Sequence, residues 1–134
     1  MKNILTDAIL SIKPIYANQI LNGSKKVEFR KKKFKKKVDR VYIYSSSPCK
    51  MIVGYFTIKE IVEDTPANLW NKFKDVGGID EERFFEYYQN TDIGYSIIIK
   101  KVVPEKEQDP IEFMENFSAP QSYIYLEREE KINC

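Results

Sequence analysis

Between Ile9 and Arg30 the local signals are dense enough to dictate a strand, a short helix, a glycine turn and a second strand. Ala8 to Ile12 is short and mostly apolar. Pro14 fixes φ and has no N–H to satisfy, so it suits the first helical turn. Ile15, Tyr16, Ile20 and Leu21 recur at helical spacing and give one apolar stripe. Gly23 stands where a left-handed residue would end that helix. Beyond it, Val27 and Phe29 alternate with Lys26, Glu28 and Arg30, which puts the apolar pair on one face of a strand and the charges on the other.

A strand face that carries Lys, Glu and Arg has two readings. One is a solvated, self-neutralising surface, the common outcome for charged strands. The other is a polar cleft in which Glu28 accepts from a ligand while Lys25 and Arg30 donate or pair with its anionic group. The order Leu10, Ser11, Ile12, Lys13 and Pro14, a short helix, then Gly23-x-Lys25-x-x-Glu28-x-Arg30, resembles the ASCH domain of the PUA-like superfamily. The likeness extends over most of the chain, to the stretch from Ala119 to Tyr125.

The length, 134 residues, fits one domain over 1–134 with a substantial core, and 43% hydrophobic content fits a packed globule. No apolar run is long enough to span a bilayer, and the N-terminus lacks the apolar core and cleavage site of a signal peptide. Cys49, in a turn, and Cys134, the last residue, do not make a disulfide framework, so a reducing cytoplasm is the expected compartment. The chain has no histidine. Ser-His-Asp and Cys-His catalysis and His-containing zinc sites are therefore excluded. No metal or cofactor is expected, and any chemistry falls to Lys, Arg, Glu, Asp, Ser, Thr or Tyr.

A net charge of +2 hides a strong asymmetry. From Lys25 to Arg40 ten basic residues face two acidic ones, a local charge of +8, while the remainder carries −6. Such a split favours oriented binding of a polyanion. Lys31, Lys32, Lys33, Lys35, Lys36 and Lys37 surround a single aromatic, Phe34, and read as a protruding loop. The loop either solubilises the chain or contacts phosphates, together with Arg40, leaving Phe34 free to stack on a base.

Val38 to Tyr44 alternates like a central strand, and Ser45 to Lys50 is a turn. Met51 to Val62 is β-rich, with Gly54 marking a bulge or a close approach. Thr65 and Pro66 predict a helix start, with Leu69, Trp70, Phe73 and Val76 on its apolar stripe and Gly77 and Gly78 at its end. Trp70 therefore belongs to the core. A second helix begins at Asp80, with Phe84, Phe85 and Tyr88 inward. Tyr95 to Val103 is the most apolar strand, and Pro104 stops it. Asp109 starts a short helix, Pro120 to Leu126 gives a last strand, and 127–134 is a charged tail expected to fray. Only the first connection looks like a crossover, so the fold class is α+β. The resemblance implies a small, curved, mixed PUA-like β-barrel flanked by helices.

The resemblance also implies a function. PUA-like domains generally bind RNA or a modified base in a cleft. On this chain the cleft would draw Lys13, Lys25, Glu28 and Arg30 from the opening motif, Ser45 and Ser46 after a central strand, and Gln121, Ser122 and Tyr123 at the last strand. Tyr42, Tyr44 and Tyr123 are candidate stacking platforms or core residues. The first expectation is thus an RNA- or modified-nucleotide-binding domain without catalysis. The alternative is a ribonuclease or nucleoside-processing hydrolase, with Lys25 stabilising the scissile phosphate and Glu28 as general base or metal ligand. Some ASCH-like amidohydrolases use a Lys base and a Thr nucleophile. Lys25 matches the lysine, but Glu28 stands in the threonine's place, and a carboxylate is a poor substitute for an activated hydroxyl. A third expectation is a regulatory module that senses a small ligand.

Overall fold

The structure, a computed structural model, describes residues 2–131. Cys134 and the end of the expected tail lie outside the described residues. The elements run β1 (Lys2–Ile12), α1 (Pro14–Asn22), β2 (Val27–Arg30), β3 (Val41–Ser45), β4 (Met51–Asp64), α2 (Pro66–Phe73), α3 (Glu81–Tyr87), β5 (Gly94–Gln108), a 3-10 turn (Pro110–Glu112) and β6 (Tyr123–Lys131).

The opening segment folds as its local chemistry dictates. Pro14 is the first residue of α1, and Gly23 ends it at φ 85°, its N–H donating to Ile20 O. Thr65 caps α2 by accepting from Asn68 N, and Asp80 caps α3 by accepting from Arg83 N.

Six strands form one mixed sheet in the order β2-β5-β4-β3-β1-β6. The β1–β3 pair is parallel, because α1 and β2 intervene, and the other pairs are antiparallel. The expected curved barrel is not formed: the sheet is neither closed nor strongly curved. Among the described residues β2 pairs only with β5 and β6 only with β1, so the sheet is open at both edges. With four residues, β2 has little ladder to offer a further partner. Side chains, rather than ladder bonds, connect the two edges.

Two further expectations are corrected. Pro104 does not stop β5, which continues to Gln108. Beyond Ile99 the outer side of β5 has no strand beside it among the described residues, so a missing N–H there costs no ladder bond. Pro104 lies opposite Gly54, where a Cβ would stand 2.6 Å from Val103 O, so the expected close approach at Gly54 is the β4–β5 backbone contact itself. The tail does not fray from 127 either: β6 pairs with β1 through Lys131.

Alternation along β1 and β3 feeds both faces of the sheet. Leu10, Ile12, Val41 and Ile43 pack with Ala17 and Ile20 of α1. Ile9, Tyr42, Tyr44 and Ile52 pack on the other face against Phe113, Phe117 and Ile124. A third cluster joins Val27 and Phe29 of β2 to Leu69, Phe84 and Tyr88, with Trp70 packed against it, and thereby fixes α2 and α3 beside β2.

Candidate functional site

A cleft of about 850 Å³ opens between the α1–β2 connection, α3 and the approach to β6. At its base lies the charged group that alternation alone allowed to be solvated. Lys25 and Glu28 are only 3% and 6% exposed. Lys25 sits just before β2, where its Nζ donates to Gly77 O and lies 3.5 Å from Glu28 Oε1. Its ammonium also lies 5.3 Å from the Tyr16 ring centre and 5.1 Å from that of Phe29, within cation–π range. Gly78 leaves room for this arrangement. At φ 66° it is left-handed, and a Cβ there would meet Gln19 and the Lys25 stem.

Arg30 ties the group to both sheet edges. Its Nη1 donates to Glu28 Oε2 and to Ser11 O, each at 3.3 Å, and its Nη2 donates to Ser122 Oγ at 2.9 Å. Tyr88 Oη in turn donates to Arg30 O at 3.0 Å.

Of the residues expected at the cleft, Lys13, Lys25, Glu28, Arg30, Ser46, Gln121 and Ser122 line it together, and Lys31 and Lys32 join them at the mouth. Ser45 and Tyr123 are not among its lining residues: Ser45 is buried within β3, and the Tyr123 hydroxyl donates to Lys33 O. Tyr42 and Tyr44 are core residues whose rings meet Phe113 edge-on and Phe117 at a tilt. The aromatic walls are instead Tyr16 and Tyr87, with Arg83 and Glu86 of α3 beside them. Sequence reasoning missed these four. Tyr16 was visible only as part of a helical stripe, and α3 reaches the cleft by packing on β2.

The lysine loop is an ordered ridge. Tyr125 Oη accepts from Lys35 N at 2.8 Å and Lys36 N at 3.2 Å. Phe34 is not free to stack on a base, because its ring meets Tyr123 edge-on at 4.8 Å and packs against the core. Lys33 lies 3.9 Å from Glu63, and Lys31 covers the Tyr87 ring. Arg40 is turned inward, over the Tyr55 ring and toward Tyr42 Oη. Among the described residues no three His, Cys, Asp or Glu side chains gather to hold a metal, and no helix is long and apolar enough to cross a membrane.

Burial pushes the Lys25 ammonium below its ordinary 10.5, and Glu28 opposes that shift. Below the folded-state pKa both folded and unfolded chains hold the proton, and the cost of burying the charge is fully present. Between that pKa and 10.5 the unfolded Lys25 binds more protons, so the contribution of Lys25 to stability rises with pH. Lys25→Met should flatten this rise, as read by denaturant unfolding across the alkaline range.

Fold and site together define an α+β protein with an open mixed sheet and a cationic cleft built on its strand–helix–strand opening. The ASCH domain family profile matches residues 10–110, and the chain belongs to that family, within the PUA-like superfamily. It is 27% identical over 128 residues to an ASCH domain-containing ribonuclease of Zymomonas mobilis, covering 92% of this chain and 86% of that protein. The crystal structure of ASCH from Zymomonas mobilis superposes with a TM-score of 0.84 at 26% identity, over 90% of this chain and 87% of that one. A tyrosine-to-phenylalanine mutant of the Zymomonas protein gives 0.82 at 25% identity, over 90% and 89%.

Proposed function

We propose that the chain is a ribonuclease that holds single-stranded RNA in the cleft. The observation that carries this reading is a buried Lys25–Glu28–Arg30 cluster at the base of a cleft whose mouth bears Lys13, Lys31 and Lys32. Binding without catalysis was the first expectation from sequence. Two things favour the alternative: the relative named a ribonuclease is similar along most of both chains, and a carboxylate and an ammonium are buried together where a substrate would reach them.

The lysines at the mouth hold flanking phosphates, and the Tyr16 and Tyr87 rings, which carry Lys25 and Lys31, wall the space for an unpaired base. Glu28 takes the proton of a ribose 2′-hydroxyl. The 2′-oxygen attacks phosphorus, and the bond from phosphorus to the 5′-oxygen breaks. Lys25, made more acidic by burial, protonates the leaving oxygen, and Arg30 faces the developing negative charge. The products are a 2′,3′-cyclic phosphate and a 5′-hydroxyl. The exposed free thiol of Cys49 suits a reducing cytoplasm.

The test incubates purified protein with a short single-stranded RNA pool and analyses the products. Cleavage leaving cyclic phosphate ends is expected, lost when the RNA is 2′-deoxy. It should fall about 10²–10⁴-fold in Lys25→Ala and Glu28→Gln. Neutralising the six lysines from Lys31 to Lys37 should weaken binding across all sequences and flatten its salt dependence. Salt-dependent binding with intact RNA would overturn catalysis and leave a binding domain. Nucleoside binding that is indifferent to salt, with no RNA binding, would leave a small-ligand sensor.

A further inference from the structure

A second groove, of about 650 Å³, lies between β1, the far end of the lysine loop and the β4–β5 ladder. Lys37, Lys100 and Lys101 line it, with Thr6, Thr57 and Asp39. Two adjacent strand residues normally point to opposite faces. Here the ladder is irregular: Lys101 pairs with Thr57 and Ile99 with Ile58, which leaves Lys100 as an extra residue. Glu60 then pairs with Ile98, leaving Lys59 as the extra residue on the opposite strand. Bulges re-aim side chains, and this one brings Lys100 and Lys101 into one groove. Among the described residues Lys37, Lys100 and Lys101 make no ion pair. Asp39, the acidic member, is held by Arg128.

The lysine loop links this groove to the cleft. Lys31 and Lys32 line the cleft, and Lys37 lines the groove. Six residues extend at most about 20 Å, a distance a short single strand can follow. Tyr123 and Tyr125 pin the loop between them, so its lysines need little ordering when a ligand arrives.

We propose that the groove is the second half of an RNA path. One single strand runs from the cleft over the lysine ridge into the groove, where Lys37, Lys100 and Lys101 hold its phosphates and the Thr6 and Thr57 hydroxyls donate to them. This rests on the ribonuclease reading of the cleft and adds a sequence-independent extension to its substrate, since phosphate contacts position a strand without reading its bases.

The test measures binding of 2′-O-methyl oligoribonucleotides, which lack the attacking hydroxyl, at lengths of about 4 and about 16 nucleotides. Wild type is compared with Lys100→Gln/Lys101→Gln and with a charge-matched control, Lys50→Gln/Lys106→Gln, outside both grooves. The short oligomer should bind all three proteins alike. The long one should bind the groove variant about tenfold more weakly than the control, with a salt slope shallower by about 1.4, the amount for two phosphates on a single strand. Equal long-oligomer affinity and slope in groove variant and control would overturn the path and leave the cleft intact. Failure of wild type to bind either length would overturn the cleft reading and the path with it. A groove variant that loses polyglutamate binding but keeps RNA binding would assign the groove to an acidic protein and overturn the proposal.

Discussion

Glu28→Ala should abolish RNA cleavage and cost about 3 kcal/mol of stability, the lower end of what breaking a buried ion pair costs. The alanine leaves Lys25 with Gly77 O and two ring faces but no anion, in a place its ammonium cannot leave: its side chain is 2% exposed. Arg30 suffers less, because Ser11 O and Ser122 Oγ still accept from it. The lower end is chosen because the two ion pairs, at 3.5 and 3.3 Å, are longer than tight charge-assisted bonds.

Glu28→Gln separates chemistry from folding. It keeps the shape and one acceptor, so the stability cost should fall to about 1–2 kcal/mol. It cannot take a proton from a hydroxyl, so cleavage should still be lost. Urea unfolding and single-turnover cleavage on the same samples read both quantities. A Glu28→Gln protein that cleaves at the wild-type rate would remove Glu28 from the chemistry and leave it as the group that positions Lys25 and Arg30. Lys25→Met should couple to Glu28→Ala by about 0.5–3 kcal/mol in a double-mutant cycle, because each removal strands the other.

The parts of this site that were legible in the sequence are those set by local chemistry. Pro14, Gly23 and the capping residues Thr65 and Asp80 act within a few positions of themselves, and their helices start or stop there. The Gly-x-Lys-x-x-Glu-x-Arg spacing marked three residues that the fold brings together. Alternation named the wrong lysine for the charged face, however. Lys26 is exposed, while Lys25, in the connector before β2, is buried with Glu28. A connector has no period to read, and only the packing of Tyr16, Phe29 and the Gly77–Gly78 turn shows where its side chain goes.

Closure of the sheet was illegible for a related reason. A barrel requires edge strands long enough to pair, and edge pairing is a contact between distant segments that no local pattern encodes. The ends of β5 and β6 were underestimated likewise. Pro104 and the charges after Glu127 are poor strand formers alone, but a proline facing an unpaired side and a strand paired with β1 lose little by them. Phe34 carried a signal that was read in reverse. One aromatic in a lysine run marks a loop held against the core as readily as one held out to a base.

Asp7→Ala should destabilise the fold by about 3 kcal/mol and weaken RNA binding without touching the cleft. Asp7 is fully buried, yet it accepts from Arg128 Nε at 2.8 Å, from Arg128 Nη2 at 3.4 Å and from Arg40 N at 3.1 Å. Arg128 also reaches Asp39, so one carboxylate on β1 fastens β6 and the last turn of the lysine loop. Alanine would leave the Arg40 N–H without that acceptor and Arg128 with only its outer partner. Arg128 is 21% exposed, so water offsets part of the loss, which puts the cost near the bottom of the buried-pair range. Asp7→Asn keeps an acceptor for Arg40 N and should cost about 1–2 kcal/mol. The functional consequence follows from where the loop is held. Tyr123 and Tyr125 hold its middle. At its end Asp39 N donates to Thr6 O, Ala8 N donates to Arg40 O, and Asp7 adds the side-chain contacts, so losing Asp7 loosens the end beside Lys37 while Lys31 and Lys32 stay at the cleft. Long RNA should therefore lose more affinity than short RNA in Asp7→Ala, with the cleavage rate of a short bound substrate unchanged. Equal losses at both lengths would mean that the tyrosines and the backbone bonds to β1 hold the loop without Asp7.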